Sequence, residues 1–332
     1  MGSTRKAAID KLFDEAIVID ALGGDVVPGS LSQLEAGITA FNATIAHPHT
    51  SFMEVLQDFY RYFTYIEAIP DLVLVRTAED IRVAKREKRL GVLFGLQDAE
   101  CVAMDLPLLT ILYQLGLRVS TLTYNERNRL GSGCDEEADL GLTSFGRQVV
   151  TELDRLGILL DLSHVGEKTS MQAMEHTTKP PVFSHSNPKA LTPSKRCITD
   201  QQIKAAAELG GVIGISVWSP MAYSKPGKQP ELGDFVDRLD YVVNLVGIDH
   251  VGIGSDIFEG KNPILWRATT KRRYPQIVGE FDRHNIHVAG LETHMDLRNI
   301  AYEMDARGYS EEDIKRVLGG NLMRVLEATF RE

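Results

Sequence analysis

The stretch ILLDLSHVGEKTSMQAMEHTTKPPVFSHS, residues 158–186, decides the fold. Two short apolar runs, Ile158–Ser163 and Pro181–His185, flank a longer helix-like segment, and a histidine closes each run: His164 and His185. Runs this short, alternating with helical stretches, read as buried strands of a parallel sheet joined by βα crossovers. The same alternation extends in both directions. Upstream lie IVIDA (17–21), ITAFNATI (38–45), GVLFGLQ (91–97) and VSTLTY (119–124); downstream lie VIGISVW (212–218) and VGIGSD (251–256). That makes eight runs, the number a (β/α)₈ barrel needs. Leu72–Val75 is either a short extra strand or a loop.

The helices between the runs carry ordinary start and stop signals. Thr77 opens a charged helix reaching about Arg89, and Phe145, Val149, Val150 and Leu153 recur at helical spacing within 143–156. Thr199-Asp200 precedes an Ala-rich helix that stops at Gly210-Gly211. Residues 297–330 read as continuous helix after the last strand, so the chain is expected to be one barrel domain over 1–332 with a helical segment over about 292–330. Three segments break the alternation, 125–140, 219–230 and 258–291, and such loops shape a barrel's pocket. An open doubly wound sheet is the other architecture, but IDALGGDVVPGS after the first run is no GxGxxG fingerprint.

The 332 residues carry 36 Lys and Arg against 46 Asp and Glu, a formal charge of −10. That balance argues against nucleic acid or an anionic membrane surface as partner. Cys101, Cys134 and Cys197 make an odd number without CxxC spacing, which speaks for a reducing, cytoplasmic setting. There is no GxSxG elbow and no P-loop.

A barrel's active site lies at the C-terminal ends of its strands. The polar residues ending the runs are Gln97, Tyr124, His164, His185 and Asp256, which would converge on one mouth. Two imidazoles on adjacent strand ends suit a zinc ion, although each also reads as a buried, hydrogen-bonded histidine. Gln97 is the weakest candidate ligand, because a carboxamide is neutral. Asp256 reads as a general base or as a helix cap, and Tyr124 as a donor to a substrate carbonyl or as packing. Arg196, after the sixth run, either clamps a substrate carboxylate or lies solvated at the surface. His47 and His49 in AHPHT have ligand spacing but also suit a simple loop.

The stretches GVLFGLQDAE, STLTYNERNRLGSG, DLSHVGEKTS, PVFSHSNPKAL, KRCITDQQI, HVGIGSDIFEG and GGNLMRVLEATF together resemble the renal (membrane) dipeptidase family of the amidohydrolase superfamily, from about Ile17 to Phe330. The resemblance implies a (β/α)₈ barrel, zinc-dependent hydrolysis of dipeptides and, in many members, a dimer. It also implies a two-zinc site: an HxD motif on the first strand, a bridging Glu on the third and two histidines on the fifth and sixth. On this sequence the two histidines fall on His164 and His185, the acid/base Asp on Asp256, and the carboxylate-binding Arg on Arg196. The HxD positions fall on Leu22 and Gly24, the bridging Glu on Gln97, and a substrate-contacting His on Tyr124. A binuclear centre of the usual kind is therefore not expected. One zinc on His164 and His185 is expected instead, unless Asp20, Asp25, Asp98 or Glu100 substitutes through a shifted register. The expected activity is hydrolysis of a dipeptide or small amide bearing a carboxylate. The alternatives are a reaction on a non-peptide amino acid derivative, or ligand binding without catalysis.

Overall fold

The computed structural model describes residues 2–24, 31–46, 48, 50–257, 259, 267–282 and 284–331. Nine parallel strands form one sheet: β1 (Ile19–Asp20), β2 (Ala40–Ala46), β3 (Leu72–Leu74), β4 (Leu90–Leu96), β5 (Leu117–Thr121), β6 (Leu159–Asp161), β7 (Val182–Phe183), β8 (Val212–Ile215) and β9 (Val251–Ile253). Pairing of β1 with β9 and of β2 with β4 closes eight of them into a barrel. The short run at Leu72 is a strand, and it stands outside the closed ring. It pairs with Leu90–Val92 of β4, while β5 takes the same edge farther along, at Phe94–Leu96.

Side chains alternate between two apolar layers because strand residues point to opposite faces in turn. Ile19, Ala40, Leu93, Val119, Leu159, Val182 and Val212 form one buried cluster, with one residue from each of seven barrel strands. Their neighbours Phe41, Val92, Phe94, Leu160, Phe183 and Ile213 belong to a second cluster under the surrounding helices. The barrel interior is thus filled rather than open.

The C-terminal segment is where the structure departs from the expected continuous helix. It is broken into Arg298–Ala306, Glu311–Lys315 and Asn321–Thr329. Gly308 takes the left-handed conformation at the first break (φ 89°). At the second, Gly319 lies so close to β1 that a Cβ would stand 2.4 Å from the Ile17 carbonyl oxygen. This contact lets Leu322, Met323, Val325, Leu326 and Phe330 join the inner cluster. The last helix therefore plugs the N-terminal end of the barrel, and the C-terminal end is left for chemistry.

The helices start where the sequence signals them. Thr77 with Asp80, and Thr199 with Gln202, form reciprocal capping boxes, and Thr143 caps the helix Ser144–Leu156. The long helices Ser3–Glu15, Phe52–Ala68 and Leu232–Val246 also pack against the barrel. No helix among the described residues is long and apolar enough to cross a membrane.

Candidate active site

Two seams of the barrel end in the same construction. On the β6/β7 seam, buried Asp161 accepts the Ser163 N–H (2.9 Å), the Ser184 N–H (3.0 Å) and the Ser184 hydroxyl. On the β1/β9 seam, buried Asp20 accepts the Leu22 N–H (3.1 Å), the Ser255 N–H (2.8 Å) and the Ser255 hydroxyl. Each aspartate thus ties its own strand end to the serine of the next strand. Burial pushes both carboxyls up, Asp20 to about 6.

The residue after each clamped serine faces the mouth. After Ser184 stands His185; after Ser255 stands Asp256. His164 follows Ser163, whose hydroxyl accepts the His185 N–H at 3.0 Å. His164 and Asp256 both adopt left-handed backbone, with φ of 68° and 56°. For non-glycine residues this costs about 1–3 kcal/mol and persists only where surrounding bonds enforce it. At His164 they include the Cys134 N–H on its carbonyl (2.7 Å); at Asp256, its own N–H on the Leu22 carbonyl (2.9 Å).

The imidazoles of His164 and His185 approach Nε2 to Nε2 at 2.8 Å. The Nδ1 atom of His164 lies 2.7 Å from Asn125 Oδ1, which also accepts the Cys134 thiol. A carbonyl oxygen only accepts, so His164 Nδ1 holds the proton and Nε2 holds a lone pair. Nδ1 of His185 lies 2.7 Å from Ser184 Oγ, which also meets Asp161 and, at 3.3 Å, Ser163 Oγ. The 2.8 Å contact between the two Nε2 atoms is a hydrogen bond, so with His164 protonated at Nδ1 the proton of that bond sits on His185 Nε2, and His185 Nδ1 accepts. Burial, then the Arg196 charge, pushes both imidazoles well below the ordinary histidine range. A cation bound between the rings would take the place of the proton that they share, with the two Nε2 atoms as its protein donors.

These two ring nitrogens are the donors that the described residues offer an ion here. Among the described residues, no cluster of three His, Cys, Asp or Glu is placed to hold a metal. Asp20 is engaged in its clamp, Asp98 accepts from Glu100 N–H and Asn128, and Glu100 pairs with Arg129. Gln97 donates to Thr44 Oγ1 across the β4/β2 seam at 2.9 Å. Leu22 is buried, and Gly24 has φ 78° with the Ile257 carbonyl 3.0 Å from where a Cβ would be. Neither supplies a ligand side chain. His47, His49 and Asp25 lie outside the described residues.

Arg196 is 2 % exposed and donates through Nη2 to the His185 carbonyl at 3.1 Å, while its buried Nε meets no acceptor. No carboxylate forms an ion pair with it among the described residues. Its loop is fixed by Asn187, whose amide reaches the Ser216 and Met221 carbonyls (3.0 Å each). Arg196, His164 and Cys134 line a cavity of about 310 Å³ with Lys195 and Glu136 at its sides. Tyr124 stacks on His164 at 4.0 Å between ring centroids. Burial, then the Asp256 charge, raises its phenol far above the ordinary value. Beyond Tyr124, buried Trp218, Tyr274 and Phe281 form an aromatic wall.

The structure thus brings His164, His185, Arg196 and Tyr124 together, with Asp256 near enough to bias the Tyr124 phenol. It adds Asn125, Ser184 and Asp161, which a reading of single strand ends passed over. One signal was available: Ser163, Ser184 and Ser255 each immediately precede a mouth residue.

The family model for membrane dipeptidase (peptidase family M19) matches residues 32–277 and 274–331, and this chain belongs to that family. Dipeptidase tcpJ of Claviceps purpurea is 29 % identical over 281 residues, covering 84 % of this chain but 60 % of that protein's length. An amidohydrolase from Pseudomonas aeruginosa has TM-score 0.90 and 30 % identity, covering 98 % of this chain and 99 % of its own. A metallo peptidase from Rhodobacter sphaeroides, solved with a phosphinate mimic of L-Ala-D-Ala, shares the fold at TM-score 0.78 and 21 % identity, over 95 % of this chain and 99 % of its own.

Proposed function

We propose that this chain is a metal-dependent hydrolase that cleaves a dipeptide or small amide carrying a free carboxylate, with one metal ion per site. The observation that carries the reading is Arg196: a buried guanidinium with an unmet N–H and no acidic partner among the described residues, beside a pair of facing imidazoles. A buried unpaired cation is costly, and an anionic ligand group relieves it. A substrate carboxylate suits this position, since guanidinium binds it through paired, charge-assisted hydrogen bonds.

The groups divide the work as follows. A zinc ion on His164 and His185 supplies, when bound, a Lewis acid for the amide carbonyl and a water acidified to a pKa of about 7. Arg196 fixes the substrate end. The Tyr124 phenol stays protonated and donates to the carbonyl oxygen as negative charge develops. Asp256 takes the proton of the attacking water and returns it to the leaving amine. Gln97 stays neutral at the rim. The three thiols are free, which supports a reducing, cytoplasmic location.

Metal content of protein purified without chelator or affinity tag is the first test, followed by turnover of a dipeptide panel. About one zinc per chain is expected, with zinc and turnover lost in His164→Ala. Dipeptide turnover unchanged in His185→Ala overturns the reading. Inert dipeptides beside turnover of non-peptide amino acid derivatives would redirect the substrate class. Tight ligand binding without turnover would make the chain a non-catalytic relative.

A further inference from the structure

The cavity that opens on His164 and Arg196 is charged on two sides, and the sides are not equally satisfied. The basic side holds Lys189 and Lys195 beside Arg196. Lys195 is already met: its Nζ donates to the Asp135 carbonyl at 2.8 Å and stands 3.7 Å from the Asp135 carboxylate. The acidic side holds Glu136, Glu137, Asp139 and Glu167. Asp139 is engaged by the Thr169 N–H and hydroxyl and by the Gly141 N–H. Glu136 accepts the Arg127 N–H at 2.7 Å, and Glu167 the Thr199 hydroxyl at 3.5 Å. Among the described residues, neither these two nor Glu137 has a cationic partner.

Charge counting decides what such a cavity takes. Four carboxylates face three cations, a formal −1, and once a substrate carboxylate meets Arg196 the remainder is four against two, a formal −2. A second anionic group would add to an excess of its own sign, whereas a cationic one would offset it. The volume, about 310 Å³, lies at the small end of ligand pockets and suits one amino acid residue rather than a longer chain. We propose that the cavity is a subsite for a cationic side chain. The carboxylate-bearing residue of the substrate is then lysine- or arginine-like, with its carboxylate on Arg196 and its side-chain charge among Glu136, Glu137 and Glu167. Arg196 anchors this two-point recognition: it is 2 % exposed, lines the cavity and has an Nε without an acceptor. The inference rests on the hydrolase reading and names a substrate class for it. Glu137 and Glu167 are exposed and Glu136 is half-buried, so each pairing is weak and screened by salt.

Hydrolysis of Ala-Lys, Ala-Met and Ala-Glu tests the preference. At low salt kcat/KM should fall in that order, by about three- to tenfold per step, and the steps should shrink in about 0.5 M salt. Glu137→Gln with Glu167→Gln should bring the Ala-Lys to Ala-Met ratio within about twofold of unity. Glu137→Lys with Glu167→Lys should put Ala-Glu first. Glu15→Gln with Glu208→Gln removes the same charge from helix ends that precede strands, on the far side of the barrel, and should keep the wild-type ratio. Equal kcat/KM for Ala-Lys and Ala-Met, first place for Ala-Glu in the wild type, or a ratio that both glutamine pairs lower equally overturns the inference. If no dipeptide turns over, the hydrolase reading fails, and calorimetry with Nα-acetyl-lysine and Nα-acetyl-norleucine decides the subsite by itself. Tighter binding of acetyl-lysine then upholds it, and equal or absent binding overturns it.

Discussion

The β6/β7 and β1/β9 seams share a clamp and differ in what they display. Both close with a buried aspartate gripping the serine of the adjacent strand. One seam places His164 and His185 at the mouth. The other places Asp256 there, but Leu22 and Gly24 stand at the positions that resemble the family's HxD ligands. The clamp belongs to barrel closure, which every member of the fold needs, whereas the ligands belong to chemistry, which a fold does not fix. The clamp stands on both seams, and the paired imidazoles on one.

The largest expected effect breaks the symmetry of the clamps through pH. Burial pushes the Asp20 carboxyl up to about 6 in the folded state, from an ordinary aspartate value of about 3.9. The folded state therefore binds this proton more tightly than the unfolded state, and stability falls as pH rises from about 4 through 6. Relative to Asp20→Asn, the wild type should lose roughly 3 kcal/mol across that window. Urea titrations of both proteins at pH 4 and pH 7 check this, and parallel curves for the two would refute the assignment.

Arg196→Met comes next. Removing a buried, unpaired cation should leave the melting temperature equal or higher. The loss of a charge-assisted bond of about 1.5–3 kcal/mol should raise KM for carboxylate-bearing substrates about 10–150-fold. Amidated substrates should show little change. A KM increase of the same size for both substrate types would mean that Arg196 only supports the His185 carbonyl.

The smallest effect tests whether the β1 seam can regain its ligands. Leu22→His with Gly24→Asp should not yield a second zinc, because residue 24 has φ 78° and its Cβ would press on the Ile257 carbonyl at 3.0 Å. The pair should cost about 1–2 kcal/mol from the left-handed backbone alone. Two zinc ions per chain in this variant, by elemental analysis, would show that the β1 end adapts.

Much of this was legible from the chain alone. Eight apolar runs with helical stretches between them specify a closed parallel barrel, because strand and helix periods are local properties of sequence. The same reading placed Gln97, His164, His185, Tyr124 and Asp256 at strand ends, and the family resemblance put Leu22, Gly24 and Gln97 at ligand positions of the family. The break of the C-terminal helix at Gly319 was not legible, since it depends on how closely that turn approaches Ile17. Nor was the wiring. Ser184 and Asp161 lie 23 residues apart, and only strand pairing decides that they meet beside His185. The sequence determined which groups reach the mouth of the barrel; the tertiary structure decided which hydrogen bonds hold them there, because those partners are set by neighbours across strands rather than along them.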